Sequence, residues 1–167
     1  MIGDGRGIAQ ISISTTFYFG GRSPKFQRFN SLGFYNSRST GHWITDSAAG
    51  ATTFAKGRKT QNRVIGVLQD TLPKETILEN LKQREYQTAI KTRTTLTRAT
   101  SASFYAHVKD RDMYEEIAVQ PVVADIDFLA GGGKNYFNRR SHHRDHFKPL
   151  KNGAYLLDAL VLSRPIA

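Results

Sequence analysis

Residues 43–55, with the sequence WITDSAAGATTFA, constrain the fold of this chain more than any other stretch. A short apolar start, the acidic Asp46, the hydroxyl of Ser47 and a run of small residues predict a loop or strand end that turns into a helix, with Ser47 in its first turn. The first N–H groups of a helix lack partners within it, and the helix dipole is positive there. A serine oxygen at that point could hold or carry an anion such as phosphate. For this stretch alone, an ordinary helix capped by Thr45 or Asp46 is the simpler interpretation.

The length and composition of the chain fit one compact domain. With 167 residues and 39% hydrophobic content it can bury one core, so we predict a single domain over residues 1–167. No apolar run reaches the length of about 18 residues that a membrane span needs. The start, MIGD, lacks the basic and apolar parts of a signal peptide, so we expect none in this chain. The sequence has no cysteine, which excludes disulfides and thiolate metal ligands.

The chain is strongly basic, with a net charge of +10 from 24 Lys and Arg against 14 Asp and Glu. This balance favours phosphorylated or polyanionic partners through long-range attraction. The basic residues are spread along the sequence and are only weakly interleaved with aromatics, which is more typical of a solvated surface than of a nucleic-acid interface. We therefore expect no specific nucleic-acid partner.

Strand and helix signals alternate after the predicted Ser47 helix. The sequence predicts a helix from Pro73, a strand over residues 87–96, a helix capped by Ser101, further helix over residues 112–119 and a strand over residues 122–130. Strands that alternate with helices indicate an α/β layered domain with a mostly parallel sheet.

Three polar residues each follow a strand-like element of this predicted sheet. These are Asp4, Ser47 and Thr100. Ligands of such sheets bind beyond the carboxyl ends of the strands, so the three could converge on one edge. Asp4 lies between two glycines, which allow backbone conformations that bring a carboxylate close to a bound ion.

Several short motifs resemble, in order and spacing, the alkaline phosphatase family from the start of the chain to about Arg144. The motifs are IGDG at 2–5, TDSAAGAT at 45–52, KT at 59–60, GV at 66–67, AT at 99–100, AHV at 106–108 with Arg111, and GGGK at 131–134. The resemblance implies a three-layer αβα fold with a mostly parallel sheet, incomplete in this chain. It also implies hydrolysis of phosphate monoesters through a phosphoserine.

The resemblance implies a role for each matching residue and a set of two zinc ions and one magnesium ion. Ser47 would be the nucleophile, activated by zinc. Arg111 would clamp two phosphate oxygens with its planar fork, and Asp46 would orient that guanidinium. Asp4 would bridge a zinc and the magnesium, and Thr100 would give its hydroxyl to the magnesium. Taken singly, Asp4 could instead be a turn residue, Arg111 a helix-end cation and Thr100 a helix cap.

Histidines have two interpretations in this sequence. His107 lies in a matching segment, but we predict a packed structural role because the family does not use that position as a ligand. His142, His143, Asp145 and His146 form a cluster in which an i, i+4 pair could share a metal ion. Flanking arginines disfavour a cation there, and a variable charged surface is the better interpretation.

The chain departs from the family pattern in four ways. Arg98 stands two residues before Thr100, where the family usually carries Asp or His near the magnesium, so we expect a weakened magnesium site. Lys91 and Arg93 fall in a strand that the family would bury, although their alternation with apolar residues favours one wet face. The remaining zinc ligands of the family follow the matched part, and the chain starts inside the first motif. These departures indicate a fragment or a decayed copy, with weak or absent turnover by itself.

The resemblance further suggests a homodimer and a periplasmic or extracellular location. An alternative of a different class is a non-catalytic basic module that binds phosphate or polyanions through Ser47, Arg111 and the helix N-terminus. A third is a related metal-dependent phosphodiesterase or sulfatase. The Asp46-Ser47-Ala48 sequence together with Arg111 fits the phosphomonoesterase better.

Overall fold

A computed structural model describes residues 1–18, 20–22, 25–31, 33–68 and 75–138. The chain divides into two compact units, Met1–Ser37 and Arg38–Ala167. The elements in chain order are α1 (Ile8–Tyr18), a short 3₁₀ helix (Lys25–Arg28), α2 (Ser47–Lys56), α3 (Ile77–Gln83), β1 (Ala89–Thr95), α4 (Ala99–Ala102), α5 (Tyr114–Val123), β2 (Phe128–Gly132) and α6 (Lys134–Asn138). The single domain predicted over residues 1–167 stays a prediction.

The first unit contains α1 and the turn that carries Asp4. No residue of α1 is buried, and large apolar side chains such as Ile8 and Phe17 are exposed. Asp4 lies in a turn with Gly5, whose φ of 66° is a left-handed conformation that glycine adopts without steric cost. Residues 1–3 have no regular structure, so the strand end predicted before Asp4 is not formed among the residues described.

The two strands of the second unit pair in parallel, as predicted. Ala89 lies opposite Phe128 and Ile90 opposite Leu129, and the register shifts before Thr95 pairs with Gly132. Parallel strands need a long crossover connection, which residues 96–127 provide here with α4 and α5. This βαβ arrangement confirms the α/β class with a parallel sheet.

Helix α2 is buried through its small side chains. Ala48, Ala49, Ala51 and Ala55 are each at most 4% exposed, and α2 packs against α4 and α3. Small residues let two helix backbones approach closely and still fill the interior. The helix ends at Gly57, which has a φ of 66° and donates its N–H to the Thr53 carbonyl at 2.8 Å.

The core around this helix is made of aliphatic and aromatic side chains from the strands, their crossover, α6 and the segment after α2. It includes the fully buried Ile65, Leu96, Tyr105, Ile117, Leu129 and Phe137. Burial raises the pKa of the Tyr105 phenol, whose hydroxyl donates to the Leu96 carbonyl at 2.9 Å.

Helix α3 begins later than the predicted start at Pro73, which lies outside the described residues. Thr76 is its N-cap and forms a capping box with Glu79. Glu79 N donates to Thr76 Oγ1 at 3.1 Å, and Thr76 N donates to Glu79 Oε2 at 2.7 Å. This reciprocal pair satisfies two N–H groups that a helix start leaves unpaired, and so sets the first residue at Ile77.

The segment after β1 differs most from its prediction. Ser101 is not a cap: it lies inside the four-residue α4, whose N-cap is Arg98, and its hydroxyl donates back to the Leu96 carbonyl at 2.9 Å. The helix predicted to begin at Ser101 does not continue past Ala102, and residues 103–113 form turns and an isolated bridge between Ile65 and Val108.

Helix α5 and strand β2 are shifted relative to their predictions. The helix runs over Tyr114–Val123 instead of residues 112–119, and the strand starts at Phe128 instead of 122. Pro121 and the following valines suggest an end of helix, but burial of Ile117 and Pro121 against the core outweighs that local preference.

The charges in β1 face solvent. Ile90 is buried while Lys91 and Arg93 are exposed, so the predicted wet face is confirmed and neither charge is buried in this structure. Across the residues that the structure describes, no helix combines the length and apolar character needed to cross a membrane. The His142, His143, Asp145 and His146 cluster lies outside the described residues.

Candidate active site

Ser47 is the first residue of α2, as predicted from the sequence. Asp46 is the N-cap, with extended backbone (φ −94°, ψ 176°), and its Oδ1 accepts from the Ala49 N–H at 2.9 Å. Asp46 therefore caps α2, as the simpler of the two interpretations of this stretch allowed. It also fixes the backbone conformation immediately before the half-buried Ser47.

The second oxygen of Asp46 binds Arg111. Arg111 Nη1 donates to Asp46 Oδ2 at 3.0 Å, and each side chain is 22% exposed. Asp46 N donates to Asn62 Oδ1 at 3.1 Å, and Asn62 Nδ2 donates to the Ile44 carbonyl at 3.0 Å. A charge-assisted bond in a partly dry environment is stronger than one at the surface, so the carboxylate orients the guanidinium.

The segment that carries Arg111 is not helical. A backbone bridge between Ile65 and Val108 positions it instead. Ile65 N donates to the Val108 carbonyl at 3.0 Å, and Val108 N donates to the Ile65 carbonyl at 2.9 Å. Gly66 follows with a φ of 63°, and a Cβ there would collide with the carbonyl oxygen of Ala106. The bridge therefore requires glycine at position 66.

Helix α2 is tied to the same bridge through a buried threonine. Thr52 is fully buried, and its Oγ1 accepts from the Gly66 N–H at 3.1 Å. Ser103 Oγ lies 3.3 Å from the same oxygen and 2.8 Å from the Ala99 carbonyl. These contacts join α2, α4 and the Gly66 turn, and so fix Ser47 relative to the Arg111 segment.

Arg63 is a residue of this network that the sequence analysis missed. Its Nε donates to Asp110 Oδ2 at 2.8 Å, and its Nη2 donates to Asp110 Oδ1 at 2.9 Å and to Asp112 Oδ2 at 2.6 Å. These bonds hold the pKa of Asp110 and of Asp112 below the ordinary value and raise the pKa of Arg63. In the sequence, the pattern Asp110-Arg111-Asp112 could have indicated these contacts. Two carboxylates beside a single arginine favour a second cation nearby.

His107 is a structural residue, as predicted. Its Nδ1 lies 2.7 Å from the Gly66 carbonyl oxygen and its Nε2 lies 2.8 Å from Glu79 Oε1. Burial alone would raise the pKa of Glu79, but hydrogen bonds from His107 and Thr76 outweigh it and leave that pKa below its usual value. The ring therefore links α3 to the Gly66 turn.

Two of the predicted metal-binding residues, Ser47 and Thr100, lie on helices that pack against each other. Thr100 is half-buried on α4, which packs against α2, the helix of Ser47, while Arg98 is exposed at the N-cap of α4. Asp4 belongs to the first unit, so its convergence with Ser47 and Thr100 stays a prediction.

Within residues 1–138 as far as they are described, no group of three or more His, Asp or Glu side chains could hold a metal ion. A protein zinc site needs three or four such donors. The described residues alone therefore do not fit the zinc sites that the resemblance implies.

Comparison with known proteins gives a consistent picture. The family model for alkaline phosphatase matches residues 1–159. An alkaline phosphatase of Schizosaccharomyces pombe is 37% identical over 155 residues, which cover 86% of this chain and 29% of that protein. The solved alkaline phosphatase of the Antarctic bacterium TAB5 is 42% identical with a TM-score of 0.82, over 89% of this chain and 43% of that one. A variant of the TAB5 enzyme, solved with magnesium bound, is 41% identical with a TM-score of 0.81, over 89% and 42%.

The chain thus spans under a third of the length of the yeast relative and under half of the solved structures. The match nevertheless extends over nearly all of this chain in sequence and in fold. Its α/β fold with a parallel sheet is part of the fold of those structures. The chain belongs to the alkaline phosphatase family.

Proposed function

We propose that this chain is part of an enzyme that hydrolyses phosphate monoesters, with Ser47 as the nucleophile and Arg111 as the clamp for the phosphate. One observation carries the proposal: Arg111 donates at 3.0 Å to the carboxylate of Asp46, although the two lie 65 residues apart in the sequence. The residue next to Asp46 is Ser47, at the positive end of a ten-residue helix. A phosphate at that end is attracted by the helix dipole and by the guanidinium.

The chemistry that this arrangement supports is a double displacement. Ser47 Oγ forms a bond to phosphorus as the bond from phosphorus to the ester oxygen breaks, the serine gives up its proton, and the alcohol leaves after taking up a proton. Water then attacks the phosphoserine, its oxygen bonds to phosphorus, the bond from phosphorus to Oγ breaks, and serine is regenerated with release of inorganic phosphate. The net reaction consumes one water for each ester.

Arg111 and Asp46 have separate roles in these steps. The guanidinium presents several N–H donors in one plane, which matches two oxygens of a phosphate, and its bond to Asp46 uses a donor on Nη1. Charge developing on the phosphoryl oxygens is stabilised by a donor that is already in place. Asp46 supplies that placement and caps the helix that presents the serine.

The ions implied by the resemblance are two zincs and one magnesium, and we propose Asp4, Ser47 and Thr100 as their oxygen ligands in this chain. Such an ion lowers the cost of ionising a hydroxyl group. Magnesium takes oxygen ligands, which carboxylate and hydroxyl groups supply. The described residues do not complete a zinc site, so further donors are needed. We also propose that Arg98 weakens the magnesium site; equal magnesium content in the chain and in an Arg98→Asp variant would contradict this.

The proposals for the oligomeric state and the cellular location rest on the family resemblance alone. We propose a homodimer that works in a periplasmic or extracellular compartment, and a phosphate monoester as its substrate. We also propose that residues 1–167 form a single partial domain of the larger catalytic fold. Turnover by this chain alone is expected to be weak or absent.

A second candidate function is a non-catalytic module that binds phosphate or polyanions. The net charge of +10 and the Asp46–Arg111 pair favour it, because both attract anions without any chemistry. The two functions differ in their dependence on metal and salt. Inorganic phosphate is titrated into the purified chain with zinc and magnesium, with a chelator, and over a range of salt concentrations. Binding that needs zinc supports the enzyme, whereas binding that survives chelation and weakens steeply with salt supports the module.

A further inference from the structure

We propose that Arg63 is a positioning residue for Arg111, and that it acts by neutralising the two carboxylates on either side of that arginine. The proposal rests on the function proposed above for Arg111 as the phosphate clamp. Arg63 contacts Asp46, Asp110 and Asp112. Its effect on a phosphate would pass entirely through Asp46, Asp110 and Asp112.

The side chain of Arg63 holds both neighbours of Arg111 at once. It forms a two-bond fork with Asp110, at 2.8 and 2.9 Å, and reaches Asp112 at 2.6 Å. A planar guanidinium can satisfy two carboxylates in this way, and a lysine ammonium cannot reproduce that geometry. The fork fixes the backbone before and after Arg111 in a segment that has no helix or strand.

The main chain of Arg63 holds the other partner of Arg111. Arg63 N donates to Asp46 Oδ2 at 3.0 Å, and Arg111 Nη1 donates to the same oxygen at 3.0 Å. One residue therefore contacts both sides of the Asp46–Arg111 pair, with its backbone on Asp46 and its side chain on the neighbours of Arg111. A change in its position moves both partners.

Charge gives Arg63 a second effect. Without it, Asp110 and Asp112 would place two negative charges beside the phosphate clamp and would compete with Asp46 for the Arg111 guanidinium. A single unit charge at about 4 Å in a watery environment changes the affinity for another charge roughly fivefold. Loss of Arg63 is therefore expected to weaken phosphate binding about tenfold or more.

The backbone conformation of Arg63 supports a role for its side chain at the neighbouring site. Its φ of 71° lies in the left-handed region, which glycine adopts freely and other residues rarely do. The side chain is 55% exposed, and ion pairs at such exposure add little to stability. A side chain that costs strain and gives little stability is better explained by an effect on the site beside it.

Substitution of Arg63 by glycine separates its effect on stability from its effect on phosphate binding. Arg63→Gly relieves the strained backbone and removes the fork, so the thermal midpoint should stay the same or rise while phosphate affinity falls about tenfold. Adding Asp110→Asn and Asp112→Asn to Arg63→Gly removes the exposed charges, and it should restore affinity to within about threefold of the parent. Inorganic phosphate is titrated into each purified chain by calorimetry, with Arg111→Ala as the control for the clamp itself. Unchanged affinity in Arg63→Gly, or no rescue in the triple variant, would overturn the proposal.

A second measurement decides the proposal even if the parent chain binds no phosphate, a result that would instead count against the proposed function. The coupling between Asp46 and Arg111 is measured by denaturant unfolding of Asp46→Asn, Arg111→Gln and the double variant, in the parent and in the Arg63→Gly background. Positioning by Arg63 predicts that the coupling falls by at least half when Arg63 is replaced. Equal coupling in both backgrounds would overturn it.

Discussion

Arg111 and Asp46 are joined by a 3.0 Å hydrogen bond between Nη1 and Oδ2, and both side chains are 22% exposed. The carboxylate has two functions in this position. One oxygen caps the helix that begins with Ser47, and the other orients the guanidinium. Because both bonds come from one side chain, the position of Ser47 and that of the Arg111 guanidinium are set together.

Asp46→Asn separates capping from orientation. Asparagine is as good an N-cap as aspartate, but its amide nitrogen cannot accept the bonds that Oδ2 takes from Arg63 N and Arg111 Nη1, so the free energy of unfolding should fall by about 1–3 kcal/mol. The charge that orients Arg111 is lost, and phosphate affinity should fall roughly tenfold. Asp46→Ala also loses the cap and should cost about 1 kcal/mol more. Urea unfolding and phosphate titration check both changes, and equal phosphate affinity in Asp46→Asn and the parent would contradict the orienting role.

Gly66→Ala should disrupt the bridge that holds the Arg111 segment. The backbone at Gly66 has a φ of 63°, and a Cβ there collides with the Ala106 carbonyl. We expect a loss of at least about 2 kcal/mol in the free energy of unfolding, because a strained conformation and a steric clash act together. Gly57→Ala is the matched control.

Gly57 has a similar φ of 66° but nothing within 4 Å of the added Cβ. It should therefore lose only about 1 kcal/mol, the cost of the left-handed backbone itself. Denaturant unfolding of the two variants gives the comparison. A loss at Gly66 no larger than that at Gly57 would show that the bridge tolerates a side chain.

Removing the hydroxyl of Thr52 tests the contact between α2 and the Gly66 turn. Thr52→Val keeps the volume but leaves the buried Gly66 N–H without its acceptor at 3.1 Å. The expected cost is about 1–3 kcal/mol in the free energy of unfolding. Thr53→Val on the same helix is the control, since the Thr53 hydroxyl only donates to the Ala49 carbonyl of its own helix, at 2.9 Å. Equal losses in the two variants would argue against the contact.

Acid should destabilise the fold through Glu79 and Asp127. The pKa of Glu79 lies below its ordinary value of 4.5 because hydrogen bonds with His107 and Thr76 outweigh the effect of burial. The pKa of Asp127 lies below its ordinary value of 3.8 because hydrogen bonds with Lys82 and Thr88 outweigh the effect of burial. The native state then binds fewer protons than the unfolded state, so this stability is present above those values and is lost as the pH falls through the lower folded values. Urea unfolding between neutral pH and about pH 3 measures it.

Glu79→Gln should remove its part of the acid dependence and lower stability at neutral pH. His107 would keep an acceptor on the glutamine, but the charge would be gone. An unchanged pH profile in this variant would show that the carboxylate carries no folded-state pKa shift.

The sequence predicts those features that depend on local chemistry. The start of α2 at Ser47, with Asp46 as one of its two predicted caps, and the strand around Ile90 follow from caps and alternation, and the structure has them. The pairing of Asp46 with Arg111 came from the family resemblance, since no local pattern joins residues 65 positions apart.

The features that sequence reasoning missed depend on tertiary contacts. The segment around Val108 resembles a helix by spacing, but its backbone pairs with Ile65 instead. Arg63 looks like one basic surface residue among many, and only the folded chain brings it to Asp110 and Asp112. The strand predicted from 122 starts at Phe128 because burial extends α5 past Pro121.

The most direct test of the central claim is whether Ser47 becomes phosphorylated. The enzyme of which this chain is proposed to be part is incubated with a phosphate monoester, zinc and magnesium, quenched in acid, and digested with trypsin, which releases residues 39–56 as one peptide. Tandem mass spectrometry should find one phosphoryl group on Ser47 of that peptide, with none in Ser47→Ala and no change in a control variant, Ser37→Ala. A phosphoryl group on Ser39 instead, an equal signal in Ser47→Ala, or no label on Ser47 would contradict the role of Ser47 as the nucleophile.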